Sequence, residues 1–166
     1  MSTYNPTTED GKCIFCTIIA KDSHDEIFWE DDNHVAFLSI DPNTPGFSLV
    51  VPKEHHRSDI LKMPDEQLRD FIIAAKKVAH ILEDFYKDVG RVGLIMEGTG
   101  IDHAHIKLVP MHGTEYMKRG EWKQYLSMVE HWFDEYEGWL SSAGGPMASR
   151  EKLRILSKQI RDSHTT

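Results

Sequence analysis

The sequence predicts an α+β fold: antiparallel strands with one long helix packed on a face and a helical C-terminal extension. Three observations carry this. Short alternating apolar runs bounded by turn residues come first, a long stretch with helical period follows, and two further strand-like runs flank a glycine-bearing turn. The composition then shifts to an aromatic and a charged segment, both helical in character.

Residues 1–12 are largely polar and read as a disordered leader. "CIFCTIIA" is short and apolar, compatible with a brief helix. "EIFWEDD" and "HVAFLSI" read as strands separated by Asp31, Asp32 and Asn33; in the second, Val35, Phe37 and Ser39 alternate with Ala36, Leu38 and Ile40. "DPNTPG" is a turn cluster, and "FSLVVPK" is a third strand that Pro52 ends. From Pro64 to about Lys87, Leu68, Phe71, Ile72, Ala75, Val78, Ala79, Leu82 and Phe85 form one stripe at helical spacing. Pro64 suits the first turn, Asp65 and Glu66 its positive end, and Gly90 the stop. "RVGLIME" is a strand, "GTGID" a tight turn and "HAHIKLV" the hairpin partner. Helices are predicted over 121–140 and from Ser149 onward, with Trp122, Trp132 and Trp139 as packing or dimer contacts rather than a cofactor cage.

The 166 residues accommodate one domain, placed at 13–114, with an extension over 115–166. A formal charge of −8 argues against a general nucleic-acid or anionic-membrane binder, since both need a basic surface. No apolar run approaches the ~20 residues of a membrane span. "MSTYNPTTEDGK" lacks the basic region and apolar core of a signal peptide. A cytoplasmic location is the expectation.

Two motifs bear chemistry. In "IDHAHIKLVP" a strand would put His103, His105 and Lys107 on one face, neighbours about 7 Å apart, with Ala104, Ile106 and Leu108 on the other. Such a face is either a solvated strand face or a pair of imidazoles addressing one substrate. "CIFC" supplies the two cysteines, Cys13 and Cys16, which read as half a metal site, a redox pair or two buried thiols. No strand signal precedes Cys13, so metal ranks ahead of redox.

These pieces occur in one order: "CIFCTII", then "FWEDDNHVAFLSIDPNTPGFSLVVPKEH", a long helix, and a hairpin ending in "HAHIKLVP". Over roughly residues 13–112 the series resembles the histidine triad (HIT) superfamily of nucleotide hydrolases and nucleotidyl transferases. The resemblance implies an antiparallel meander sheet with one packed helix. It implies that His105 attacks the α-phosphate of a nucleoside phosphoramidate or dinucleoside polyphosphate, forming a nucleotidyl-histidine intermediate, with His103 as the first histidine of the signature. An imidazole, largely neutral at pH 7, suits that attack. Ile14, Phe15, Ile18, Phe37 and Ile40 match positions lining a purine pocket, Ser39 the ribose position and Thr99 the phosphate loop. Cys13, Cys16, His55 and His103 match a structural zinc set, with His56 an adjacent, solvent-facing histidine. A homodimer through the helix and hairpin is implied as well.

The chain departs from the family pattern in three places. Lys107 replaces the third histidine of H-x-H-x-H; as a cation it serves as an electrostatic accessory to phosphate, not a proton shuttle. Ser39 in "FLSI" replaces an aspartate that holds ribose hydroxyls. The loop "MEGTGID" is compressed, offering Thr99 with the amides of Gly98 and Gly100. These departures motivate a second reading, a catalytically reduced nucleotide-binding protein stabilised by zinc.

Overall fold

The computed structural model describes residues 11–20, 27–39, 42–124, 126 and 151. Short runs of β-branched and aromatic residues form the five strands, as their fit to a half-buried pleated surface requires. They are β1 Ile27–Glu30, β2 His34–Leu38, β3 Ser48–Pro52, β4 Val92–Ile95 and β5 Ile106–Pro110. The sheet order is β1-β2-β3-β5-β4, with every neighbouring pair antiparallel. Asp31 closes the first turn: its Oδ1 accepts the N–H groups of Asn33 at 3.0 Å and His34 at 2.8 Å.

Two helices cover the faces of the sheet. Helix α1 is the brief Ile14–Ile19; helix α2 is Asp65–Phe85, with Asp65 and Glu66 in its first turn. On the α2 side, Ala36, Val50, Ile106 and Leu108 pack against Phe71, Ala74, Ala75, Val78 and Leu82. On the α1 side, Val35, Phe37, Leu49 and Val51 pack with Phe15 and Ile101. Strand alternation therefore separates two apolar layers, and each fully buried Val, Leu, Ile or Phe contributes about 1.5–3 kcal/mol.

Two helical expectations need correction. Ile72 and Phe85 belong to the predicted stripe yet are exposed, and Ala74 is buried instead. The contact face runs through Phe71, Ala74, Ala75, Val78 and Leu82, which leaves Ile72 beside it and Phe85 at the helix end. The helix also stops at Phe85, where Tyr86 turns extended (φ −92°, ψ 108°), rather than at Gly90. Gly90 serves a close approach: a Cβ there would lie 2.0 Å from the Thr114 carbonyl oxygen, and its N–H donates to Thr114 Oγ1 at 2.9 Å.

By its contacts the chain divides into two units, one reaching Glu121 and one beginning at Trp122. Tyr116, in the short 3-10 turn Glu115–Arg119, is buried within the first. Residues 121–124, where the sequence predicts the start of a helix, are not helical; the predicted leader up to residue 10, Ile40, Trp132, Trp139 and nearly all the rest of both predicted C-terminal helices lie outside the described residues. Among the described residues no helix is long and apolar enough to cross a membrane.

One clamp joins the loop before β3 to the end of β5. His112 Nε2 donates to the Pro45 carbonyl at 3.0 Å and Nδ1 to Asp88 Oδ2 at 2.9 Å, so both ring nitrogens face acceptors. The Pro45 carbonyl and then Asp88 hold the imidazole above its ordinary 6.5, and His112 draws the Asp88 carboxyl below its ordinary 3.8. The histidine contribution is fully present below 6.5 and lost as pH rises through the raised value. The Asp88 contribution is present above 3.8 and lost as pH falls through the lowered value. We expect His112→Gln to be less stable than the parent near pH 5.5, with the gap narrowing towards about pH 8. Urea unfolding of both proteins across that range tests it; a gap independent of pH would show that the imidazolium contributes nothing.

Candidate functional site

The site is built where three chain segments meet: α1, the residues after β3, and the loop from Met96 to His105 that joins β4 to β5. That connection is not the tight hairpin turn the sequence suggests, because β5 begins only at Ile106. Gly98 and Gly100 adopt positive φ (66° and 87°), and Asp102 draws the loop onto the chain after β3. Its Oδ1 accepts the Ser58 N–H at 3.0 Å and its Oδ2 accepts Arg57 Nε at 3.1 Å. Packing is close: a Cβ on Gly98 would meet the Ser58 carbonyl oxygen at 2.5 Å. The Ala104 N–H donates to the His56 carbonyl at 2.8 Å. His103 and His105 thus precede the strand, but the alternation survives. Ala104, Ile106 and Leu108 join the α2-side core, whereas the rings of His103 and His105 lie on the α1 side against Phe15.

The two histidines are oriented in series. His103 Nε2 donates to the Pro52 carbonyl at 2.9 Å, which turns Nδ1 towards the cysteines. His105 Nδ1 donates to the carbonyl of His103 at 2.8 Å, leaving the Nε2 lone pair unprotonated. Both rings are buried, His103 completely and His105 to 3 % exposure. Burial pushes His103 down to about 4, and it also lowers His105, against the opposing pull of its bond to the His103 carbonyl. His105 is therefore a neutral imidazole at pH 7 with a defined tautomer, the state a nitrogen nucleophile needs.

Cys13, Cys16, His55 and His103 converge beside it. One ligand-type atom from each lies within 4.8 Å of the others. Cys13 Sγ is 3.4 Å and Cys16 Sγ 3.5 Å from His103 Nδ1, and Cys16 Sγ is 3.3 Å from His55 Nδ1. Burial raises the Cys16 thiol. Two sulfurs and two imidazole nitrogens at these separations are compatible with a metal site, and both cysteines are free thiols. His56 stands aside from the cluster, half-buried, with Nε2 3.5 Å from Glu54 Oε2.

Lys107 has a partner that the sequence did not suggest. Its ammonium donates to Glu97 Oε1, which also accepts Thr99 Oγ1 at 3.2 Å. Glu97 is only 14 % exposed, and its Oε2 is buried with no hydrogen-bond partner. Despite burial, the lysine keeps the carboxyl below its usual range. The ladder explains the meeting: Ile95 pairs with Lys107, and Glu97 follows two residues later, within reach of the ammonium. An acid near the end of β4 and a base on β5 were visible in the chain, but their register was not.

Of the predicted pocket residues, Phe15 and Phe37 are buried and touch edge to face at 5.4 Å, while Ile14 and Ile18 pack half-buried against the same cluster. Phe15 also approaches the rings of His103 at 5.8 Å and His105 at 5.6 Å. Ser39 is half-buried after β2, its N–H donating to the Phe47 carbonyl at 2.9 Å. Thr99 is exposed on the loop and faces Glu97.

Comparison with known proteins agrees with this geometry. An uncharacterized HIT-like protein of Methanocaldococcus jannaschii is 37% identical over 118 residues, covering 67% of this chain and 89% of its own. The adenosine 5'-monophosphoramidase HNT1 of Saccharomyces cerevisiae is 35% identical over 106 residues, 63% of this chain and 66% of its own. The crystallised HIT family hydrolase of Clostridium thermocellum superposes with a TM-score of 0.51 at 26% identity, over 63% of this chain and 93% of its own. The HIT domain matches residues 20–114, which hold both histidines, β1 to β5 and α2. With that match spanning more than half of the sequence, sheet, long helix and histidine loop included, the chain belongs to the HIT domain family.

Proposed function

We propose that the protein is a nucleotide hydrolase or nucleotidyl transferase that acts at the α-phosphate of a purine nucleotide through a nucleotidyl intermediate on His105. The carrying observation is the His105 tautomer: Nδ1 donates to the His103 carbonyl, so the Nε2 lone pair is available on a buried, neutral ring. Similarity to a yeast adenosine 5'-monophosphoramidase supports the reaction class. In the first step the Nε2 lone pair forms a bond to phosphorus, and the bond from phosphorus to the leaving group breaks. The leaving group departs with that electron pair and takes a proton from solvent. Water or another hydroxyl then attacks phosphorus, the P–N bond breaks with its electrons returning to the ring, and the attacking oxygen loses its proton to solvent. Ile14, Phe15, Ile18, Phe37 and Ile40 would wall the base, with Ser39 at the ribose and Thr99 at the phosphate.

The four Cys and His atoms fit a closed structural zinc, and Zn2+ is the ion we assign to them. Bound there, the metal would supply structural tethering of α1 to His55 and His103; His103 Nδ1 would serve as ligand while Nε2 holds Pro52. A homodimer would use the exposed apolar side chains Ile72, Ile73 and Ile81 of α2 with Leu94 and Met96 at β4.

Three outcomes are expected. His105→Asn lowers turnover of an adenosine phosphoramidate by about a thousandfold or more while nucleotide affinity changes little. Mass spectrometry of the parent quenched in the steady state shows the nucleotidyl adduct on His105. Equal turnover by the two proteins would exclude the covalent route, and binding without turnover in both would leave the nucleotide-binding reading. Protein purified without added metal carries close to one zinc per chain by elemental analysis, and Cys13→Ser loses both zinc and thermal stability. Zinc far below that level, not restored by titration, would exclude the metal assignment. Light scattering gives a dimer mass at micromolar concentration; a monomer would exclude the proposed interface.

A further inference from the structure

The family's chemistry does not account for the pair formed by Glu97 and Lys107. The third position of the histidine signature carries a full positive charge, and a nearly buried carboxylate cancels it. Both charges act on His105, in opposite directions. Lys107 is two residues from His105 on the same side of the strand, a spacing of about 7 Å. A phosphate attacked at His105 Nε2 therefore sits beside a balanced ion pair rather than a free cation.

Balance has a consequence for what can be bound there. A free lysine would draw in substrates whose leaving group adds further phosphates. An ion pair removes that attraction, and the carboxylate can only accept hydrogen bonds when ionised. Oε1 is already met by Lys107 and Thr99, whereas Oε2 has no partner. A leaving group that adds phosphates loses the attraction an unpaired lysine would give it, whereas an amine leaving group loses nothing.

We propose that the Glu97–Lys107 ion pair determines substrate specificity, selecting nucleotides with an amine leaving group over those with a polyphosphate leaving group. The inference rests on the reading of His105 as the nucleophile, and it assigns to Glu97 a role that the histidines do not carry. Glu97 acts through its charge, and Lys107 positions it and keeps it ionised.

The test is a charge cycle on the full chain: parent, Glu97→Gln, Lys107→Met and the double variant. Each is assayed for kcat/KM on an adenosine phosphoramidate and on a diadenosine polyphosphate, and for affinity towards AMP and ATP. Glu97→Gln frees the lysine and raises the ratio of polyphosphate to phosphoramidate activity by about tenfold or more, given the strength of unit charges at this range in a partly buried site. Lys107→Met leaves the carboxylate bare and moves the ratio the other way. The double variant restores neutrality and returns the ratio to within about threefold of the parent. The ratio of ATP to AMP affinity follows the same order.

Parental turnover with ratios unmoved beyond about twofold in Glu97→Gln overturns the specificity role and leaves the function standing. A restored double variant also excludes a merely structural need for Glu97, because packing defects would accumulate instead of cancelling. If no protein turns over either substrate but the affinity ratios shift as expected, charge selection holds and the catalytic reading fails. If the affinity ratios are also unmoved, both fail. Should Lys107→Met not fold, the isosteric Glu97→Gln decides the matter alone.

Discussion

The hydrogen bond from His103 Nε2 to the carbonyl of Pro52 is the interaction on which the site depends. It fixes the His103 tautomer, and with it the direction of Nδ1 towards Cys13 and Cys16. The His103 carbonyl that receives His105 Nδ1 is aimed separately, by the Ala104 N–H of the same peptide group donating to the His56 carbonyl at 2.8 Å. Two backbone oxygens at and after the end of β3, those of Pro52 and His56, therefore orient a metal-ligand candidate and a nucleophile candidate in turn. Complete burial of His103 removes competing water from the first link. The Ala104 N–H, bonded to the His56 carbonyl, keeps the two strands of backbone in step between these side chains.

Burial makes this arrangement workable in an acidic chain. The surface carries the negative charge, yet the histidines lie where desolvation outweighs attraction of protons, so both stay neutral. Sheet alternation then divides labour. The face towards α2 is apolar apart from buried His34, which stacks on Phe71 at 5.4 Å, while the face towards α1 holds His103 and His105 beside Phe15.

Much of this was legible in the sequence, for identifiable reasons. The alternation of Val35, Phe37 and of Ala104, Ile106, Leu108 reported faces directly, because side-chain direction in extended backbone has a period of two. Pro64 and the acids after it marked the start of α2. Its end was misread because Gly90 suits a helix stop as well as it suits the close contact with Thr114 that it makes. The loop before the histidines was misread for a similar reason: glycines signal a turn but do not report its span, which here is set by Asp102 bonding to Ser58 across the fold. The Glu97–Lys107 pair was invisible because cross-strand pairing depends on register, and register depends on that loop.

Helix α1 is six residues long and carries contacts on two sides of the site. Cys16 reaches towards His55 and His103 while Phe15, one position earlier, meets both histidine rings. Successive helical residues are rotated by about 100° from each other. An inserted or deleted residue between Cys13 and Cys16 would therefore swing sulfur away from one neighbour and the benzyl group away from the other together. The length of this stretch is thus constrained together with the identities of Cys13, Phe15 and Cys16. Its residue count acts as a gauge, tying the position of the sulfur atoms to the shape of the wall beside His105.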